Sequence, residues 1–219
     1  MRSILAVIAI AVVSGAHANL FVNGGFESPS VPAGTFIHYG TGSTGITGWT
    51  VVGPQVSQIH TTYGEPGLGV TAFNANSGMA HIDITGGGNV GTNAGLTQSV
   101  ATVVGQLYEL SFFVGKATGG ANYSTQSILD VSINGGARVS YFNTNNTPVG
   151  FVNWVQHSVQ FTATSTSTSI TFFNGTGLAT NNFVGLDDAS LTAVPEPMAC
   201  SLLALGAAAV LRRRRRQSR

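Results

Sequence analysis

The stretch "QLYELSFFVG", residues 106–115, sets Tyr108, Leu110, Phe112 and Val114 at every second position. A β-strand turns successive side chains to opposite faces, so this spacing gathers all four on one side. Leu129, Val131 and Ile133 repeat the pattern, as do Val155, His157, Val159 and Phe161. Turn signals such as Asn134-Gly135-Gly136 and Asn174-Gly175 close these runs. Working outward, strands are predicted at 20–22, 49–52, 56–59, 80–85, 95–100, 107–114, 128–133, 138–142, 154–163, 168–173 and 184–191. No stretch of the body spaces its apolar residues at a helical period. Short strands without helices point to an all-β fold, two antiparallel sheets packed face to face in a sandwich.

The two ends read differently from the body. Residues 1–18 carry Arg2, an apolar run from Ile4 to Val13, and then Ala16-His17-Ala18, a small-x-small pattern suited to signal peptidase. A run of about ten apolar residues is too short to cross a bilayer, so a secretory signal helix cleaved near Ala18 is expected. Residues 19–193 form the sandwich domain. Residues 194–219 begin with Val194-Pro195-Glu196-Pro197, continue with an apolar helix at 198–211, and end with Arg212, Arg213, Arg214, Arg215 and Arg216 in an arginine cluster at 212–219.

Removing the ends changes the charge account. The body keeps Lys116 and Arg138 against Glu27, Glu65, Asp83, Glu109, Asp130, Asp187 and Asp188, a formal charge of −5. So acidic a domain has no footprint for polyphosphate, which argues against nucleic acid as a partner. Cys200 is the single cysteine and lies in the apolar tail, so disulfides cannot staple the body.

Several motifs invite chemistry and fail a second requirement. Gly86-Gly87-Gly88-Asn89-Val90-Gly91 matches a dinucleotide fingerprint literally, yet a strand follows it where a helix is needed to hold pyrophosphate. His81 and Asp83 share a strand face, but no nucleophile elbow accompanies them. A glycosidase needs two carboxyl groups across one cleft, and the only adjacent pair, Asp187-Asp188, should point to opposite faces of its strand. No catalytic constellation emerges, so a non-enzymatic role is expected. Sugar contacts are sought among aromatic residues in or beside polar loops, since flat rings cover the apolar faces of pyranoses. Tyr39, Tyr63, Tyr123 and Tyr141 are the candidates. Trp49 and Trp154 each begin a predicted strand and are assigned to the fold.

The segments "NLFVNGGFESP", "GITGWTVV", "HIDITG", "GLTQSVATVVGQLYELSFFVG", "WVQHSVQFTAT" and "FVGLDDASLTAV" follow one another in order. Together they resemble the galactose-binding-like jelly rolls of carbohydrate-binding modules, and the plant cell-wall proteins of that superfamily that begin with NGxFE. The resemblance implies a jelly-roll sandwich whose first and last strands lie close. It also implies a structural Ca²⁺ with Glu27 and one of Asp187 and Asp188 as ligands; Asp187 shares a face with Phe183, Ala189 and Leu191 and is the one expected to be buried.

The tail, with its VPEP motif, apolar run and arginine cluster, resembles the PEP-CTERM sorting signal of exopolysaccharide-producing Gram-negative bacteria. At about 1.5 Å per residue, the run at 198–211 makes a short transmembrane helix that falls below a hydrocarbon core of about 30 Å. Arginines on the cytoplasmic side stop transfer. The resemblance implies an exosortase-type membrane transpeptidase or protease acting at Pro195-Glu196-Pro197, a transient inner-membrane tether, and delivery to the cell surface or matrix. The leading expectation is an exported protein that binds glycans or polysaccharide without catalysis. A structural matrix protein with no discrete site and a secreted glycan hydrolase are the alternatives.

Overall fold

A computed structural model describes residues 18–123, 126–177 and 183–195. Eleven strands are formed among them: β1 Phe36–Gly40, β2 Thr50–Val52, β3 Gln55–His60, β4 Ala80–Asp83, β5 Gly95–Ala101, β6 Leu107–Ala117, β7 Ser127–Ile133, β8 Val139–Asn143, β9 Val152–Thr162, β10 Ser167–Asn174 and β11 Gly185–Ala193. They build a six-stranded sheet in the order β1-β3-β4-β11-β6-β9 and a five-stranded sheet in the order β2-β5-β10-β7-β8. Every pairing is antiparallel, and the two sheets enclose one large core, a jelly-roll sandwich.

The alternation that predicted the fold also places the core. Tyr108, Leu110, Phe112 and Val114 of β6 face Leu129 and Val131 of β7 and Ile170 and Phe172 of β10, all buried. Trp49, 1 % exposed, closes one end of this layer. Its ring meets Phe21, Phe26 and Phe172 at centroid distances of 5.1, 5.2 and 6.0 Å, and its Nε1 donates to the Asn23 carbonyl at 3.0 Å.

Two elements differ from the sequence expectation. The strand at 36–40 was not predicted, because β1 is an edge strand whose residues stay half-buried or exposed and so carry no apolar alternation. The strand expected at 20–22 is a turn instead. It nevertheless runs beside β11: the Leu20 amide donates to Leu191, the Ala189 amide to Gly24, and the Asn19 side chain bonds both Ala189 and Leu191. Asparagine here supplies the donor and acceptor a paired strand would have offered.

The start and end of the body therefore meet. β11 carries a bulge, where Asp187 pairs with Phe113 but Ser190 already pairs with Ser111, and Asp188 takes up the extra residue at φ 47°. This corrects the expectation that Asp187 and Asp188 point to opposite faces. The left-handed residue breaks the alternation, and both carboxylates reach the same loop at 76–77.

Candidate functional site

Alternation in β3 and β4 sends two different populations to the two faces of the six-stranded sheet. Val56 and Ile82 enter the core, while Ser57, Ile59, His81 and Asp83 point the other way. That outer face is covered by the chain between β3 and β4. Asn74 pins this cover to β9, accepting from the Val152 amide at 2.9 Å and donating to the Val152 carbonyl at 3.2 Å, while its own carbonyl accepts the Trp154 indole at 3.0 Å. Within the cover, Glu65 and Val70 exchange backbone hydrogen bonds across a short 3-10 turn at Pro66–Leu68. Gly69 then runs against Gly119, where a Cβ on Gly119 would fall 2.0 Å from the Gly69 carbonyl oxygen; only glycine allows this approach.

A second apolar cluster fills the space beneath, built from Ile59, Val70, Phe73, Ala117, Tyr123, Val152 and Phe183. Beside it opens a pocket of about 210 Å³. It is lined by Ser57, Ile59 and Asp83 of the sheet, by Phe36 and His38 of β1, and by Tyr63, Glu65, Leu68, Phe73 and Tyr123, with Phe36 and Tyr63 touching edge-on. Gly86, Gly87 and Gly88 supply the remaining wall. The volume lies below the roughly 300–1,000 Å³ of drug-sized pockets and suits one sugar unit better than an oligomer.

A carboxylate clamp orders the aromatic wall. Glu65 Oε1 accepts the Tyr63 hydroxyl at 2.8 Å, and Oε2 accepts the Tyr123 hydroxyl at 2.6 Å. Burial, the hydrogen bond to Glu65 and its charge push Tyr63 up to about 12 and raise Tyr123 as well, so both remain donors. The rings are locked to neighbours: Phe36 meets Tyr63 edge-on at 4.9 Å, Tyr63 stacks on Phe73 at 5.6 Å, and Phe73 meets Tyr123 edge-on at 5.7 Å.

Asp83 is 5 % exposed, and its Oδ1 takes three donors: the Thr85 amide at 2.9 Å, the Thr85 hydroxyl at 2.6 Å and the Val184 amide at 3.2 Å. Burial pushes its pKa up to about 7; those donors pull the other way and Glu65 adds a smaller push upward. On the same strand face, His81 is fully buried between Trp154 at 5.4 Å and Phe183 at 5.7 Å. Neither ring nitrogen has a hydrogen-bond partner, and burial pulls its pKa down to about 3, so the ring is neutral. His38 at the pocket edge shares a hydrogen bond with the Ser57 hydroxyl at 2.8 Å through Nδ1.

Of the four tyrosines singled out by sequence, Tyr63 and Tyr123 come together in this wall. Tyr39 and Tyr141 do not: the Tyr39 hydroxyl donates to Gln58, and Tyr141 packs edge-on against Phe112 at 5.0 Å and His157 at 5.4 Å. Sequence reasoning passed over Phe36, Glu65 and the placement of Asp83. A signal existed in Tyr63-Gly64-Glu65, which sets an aromatic and an acid two residues apart, but Tyr123 as their shared partner lies 58 residues away. The glycine run that matches a dinucleotide fingerprint without its helix lines this pocket, tied down by the Gly87 amide donating to Gln55 Oε1 at 2.8 Å.

The other acidic grouping sits where the chain ends meet. Glu27 accepts the Met79 and Ala80 amides at 3.0–3.2 Å. Its carboxylate lies over Gly78, where a Cβ would fall 2.1 Å from Oε1. Asp187, fully buried, accepts the Asn76 amide at 2.9 Å and the Ser77 amide at 3.3 Å; Asp188 accepts the Asn76 side-chain amide at 2.7 Å and the Ser77 hydroxyl at 2.8 Å. Burial first, and then Asp188, push Asp187 up to about 8. The donor chemistry is that of a hard-cation site, rich in oxygen. Among the described residues, however, no group of three or more His, Cys, Asp or Glu side chains is close enough to hold a metal ion.

At the tail, the Val194 amide donates to Leu107 at 2.8 Å and its carbonyl accepts from Gln106 Nε2 at 2.6 Å, while Pro195 is exposed. Ala16, Glu196, Pro197, the apolar run at 198–211 and Arg212–Arg216 lie outside the described residues; Ala18, just inside them, is exposed. No helix among the described residues is long and apolar enough to cross a membrane.

Fold and site together define a jelly-roll sandwich with an aromatic, acidic pocket on the outer face of its larger sheet. Residues 19–185 match the family described as protein of unknown function DUF642, and the chain belongs to that family. Halomucin of Haloquadratum walsbyi is 26 % identical over 194 residues, 86 % of this chain; the match spans about 2 % of halomucin's length. Among solved structures, a cyclase from Fischerella sp. TAU shares the fold with a TM-score of 0.56 and 18 % identity, over 82 % of this chain and 98 % of the cyclase. An arabinose-bound α-L-arabinofuranosidase matches 81 % of this chain with 26 % of its own, at a TM-score of 0.50 and 15 % identity.

Proposed function

We propose that this is an exported protein of the cell surface or exopolysaccharide matrix that holds a glycan, without cleaving it, in the pocket between β1, β3, β4 and their covering loop. The observation that carries this reading is the clamp, in which one carboxylate fixes two tyrosine rings beside Phe36 and Phe73. Rings held by hydrogen bonds to a common acceptor are preorganised, so little entropy is lost when a sugar settles on them. Glu65, Asp83, Ser57 and His38 then face the hydroxyls. Retention of the chain on a glycan array, lost on Tyr63→Ala and Phe36→Ala, is the expected result; a chain retained by no glycan overturns it.

Delivery is part of the proposal. The VPEP motif, apolar run and arginine cluster support sorting by an exosortase-type enzyme after signal-peptidase cleavage near Ala18. Mass spectrometry of the surface fraction should find a mature C-terminus near Pro195–Pro197, and an intact chain carrying Arg212–Arg219 would overturn processing. A structural Ca²⁺ is likewise proposed, on the resemblance, with Glu27 and one of Asp187 and Asp188 as side-chain ligands; since no three acidic side chains converge among the described residues, main-chain oxygens would have to complete the set. Chelation should lower the melting temperature and added Ca²⁺ restore it. Melting that ignores both would leave the hydrogen bonds to residues 76–80 as the whole reason these acids meet.

A further inference from the structure

Resting on that glycan reading, we propose that the pocket selects a sugar bearing a free ammonium group, an amino-sugar unit, over neutral and acidic sugars. Charge is the first argument. Glu65 and Asp83 both line the pocket, and neither Lys nor Arg is among its lining residues. The two cations of the body are engaged elsewhere: Lys116 Nζ donates to the Asn145 carbonyl and Asn146 Oδ1, and Arg138 donates to the Thr92 carbonyl and lies over the Phe173 ring. A uronate entering here would meet two acidic side chains and no cation.

The second argument is the distribution of hydrogen bonds. Both oxygens of Glu65 are taken by tyrosine hydroxyls, which orient the carboxylate but leave its charge. The three donors to Asp83 all fall on Oδ1, so Oδ2 is left to the pocket that the residue lines. Among the described residues the buried polar atoms without a partner are the two His81 ring nitrogens, so Asp83 Oδ2 is reached from the pocket and stands there as an acceptor for an incoming donor. An ammonium brings three donors and a positive charge, which itself favours the ionised form of Asp83 against the effect of burial.

The rings give the third argument. Phe36, Tyr63, Phe73 and Tyr123 line the same pocket as the acids, and the negative faces of aromatic rings attract a cation within about 6 Å. Tyr63 already stacks on Phe73 and Tyr123 is buried, so the ring surface open to a ligand is that of the exposed Phe36 and the part of the half-buried Tyr63 that lines the pocket. His38, the other titratable group at the edge, is turned by its Nδ1 toward Ser57.

The test uses the full chain and three probes in isothermal titration: β-1,4-linked glucosamine oligomers, the same oligomers N-acetylated, and oligogalacturonate. Acetylation removes the charge and keeps the sugar. The free-amine oligomer should bind about tenfold tighter than the acetylated one, and oligogalacturonate weakest of the three. Asp83→Asn should bring the first two within about threefold of each other by weakening only the free amine. Equal binding of amine and acetamide, or preference for the uronate, overturns the selection while leaving a glycan-binding pocket. No binding to these probes or to any arrayed glycan overturns both. Should Asp83→Asn fail to fold, the unmodified chain against the acetylation pair still decides.

Discussion

The two faces of the six-stranded sheet are made by the same strands and have opposite characters. On the inner face Val56, Ile82, Leu110, Phe112 and Leu186 are apolar and packed against the second sheet. On the outer face His81, Asp83 and Tyr123 are buried among aromatic rings, with Glu65 and Tyr63 half-buried beside them. The inner face is a solution to packing, in which shape and area are enough. Its counterpart holds groups whose desolvation costs free energy, and it holds them under a covering loop that Asn74 ties to β9 and residues 76–79 tie to Glu27, Asp187 and Asp188. A face that retains costly groups under a dedicated cover is the one to examine for function.

The largest expected effect tests the inner face. Trp49→Ala removes a ring packed on three aromatic neighbours and leaves a cavity, costing about 3–5 kcal/mol. Urea titration should show the loss, while glycan retention below the new midpoint should be unchanged. Loss of retention in a chain still folded would mean the two faces are not separable.

The next breaks the outer face. Tyr123→Phe keeps the ring and deletes a 2.6 Å hydrogen bond to Glu65, for which about 1.5–3 kcal/mol is typical when the partner is charged. Ring position in the wall should loosen, so binding should weaken by more than the folding midpoint moves. Equal change in a Tyr141→Phe control, whose ring lies outside the pocket, would count against the clamp.

How much of this difference could be read beforehand follows from periodicity. The inner face was legible because its signal is local: Tyr108, Leu110, Phe112 and Val114 declare their side within eight residues. β1 escaped because an edge strand buries too little to alternate. Tyr63 and Tyr123 were found by residue type, but that criterion could not separate them from Tyr39 and Tyr141, since what unites them is a shared acceptor far along the chain. Asp188 was misjudged for a backbone reason: strict alternation fails at a left-handed residue in a bulge, and asparagine and aspartate enter that region without declaring it in sequence.

His81 and Asp83 make the contrast testable by pH. His81, pulled down to about 3, binds fewer protons in the folded state, so its contribution is lost as pH falls from about 6.5 toward 3. Asp83, pushed up to about 7, binds more protons when folded, so its contribution is present below about 4 and lost as pH rises toward 7. His81→Leu should therefore flatten the acid side of the stability profile, and Asp83→Asn the rise side. At neutral pH, His81→Leu should also gain about 1 kcal/mol, because it replaces two unpartnered buried nitrogens with apolar surface. A loss on that substitution would show that the imidazole contributes something the two flanking rings alone do not reveal.

The smallest effect belongs to a polar–aromatic contact with no cover at all. Arg138 is exposed, with its guanidinium 3.6 Å from the centroid of the Phe173 ring on the five-stranded sheet, and it donates to the Thr92 carbonyl at 2.8 Å. Cation–π pairs in water contribute about 0.5–1 kcal/mol, against about 2 or more when desolvated. Arg138→Ala should accordingly cost less than about 1 kcal/mol in urea titration and shrink further in high salt. The same kind of contact beneath the loop at 61–76 is expected to govern ligand choice, so the ratio of the two effects measures what the cover contributes. An Arg138→Ala loss as large as that of Tyr123→Phe would mean that exposure is not what separates the two surfaces.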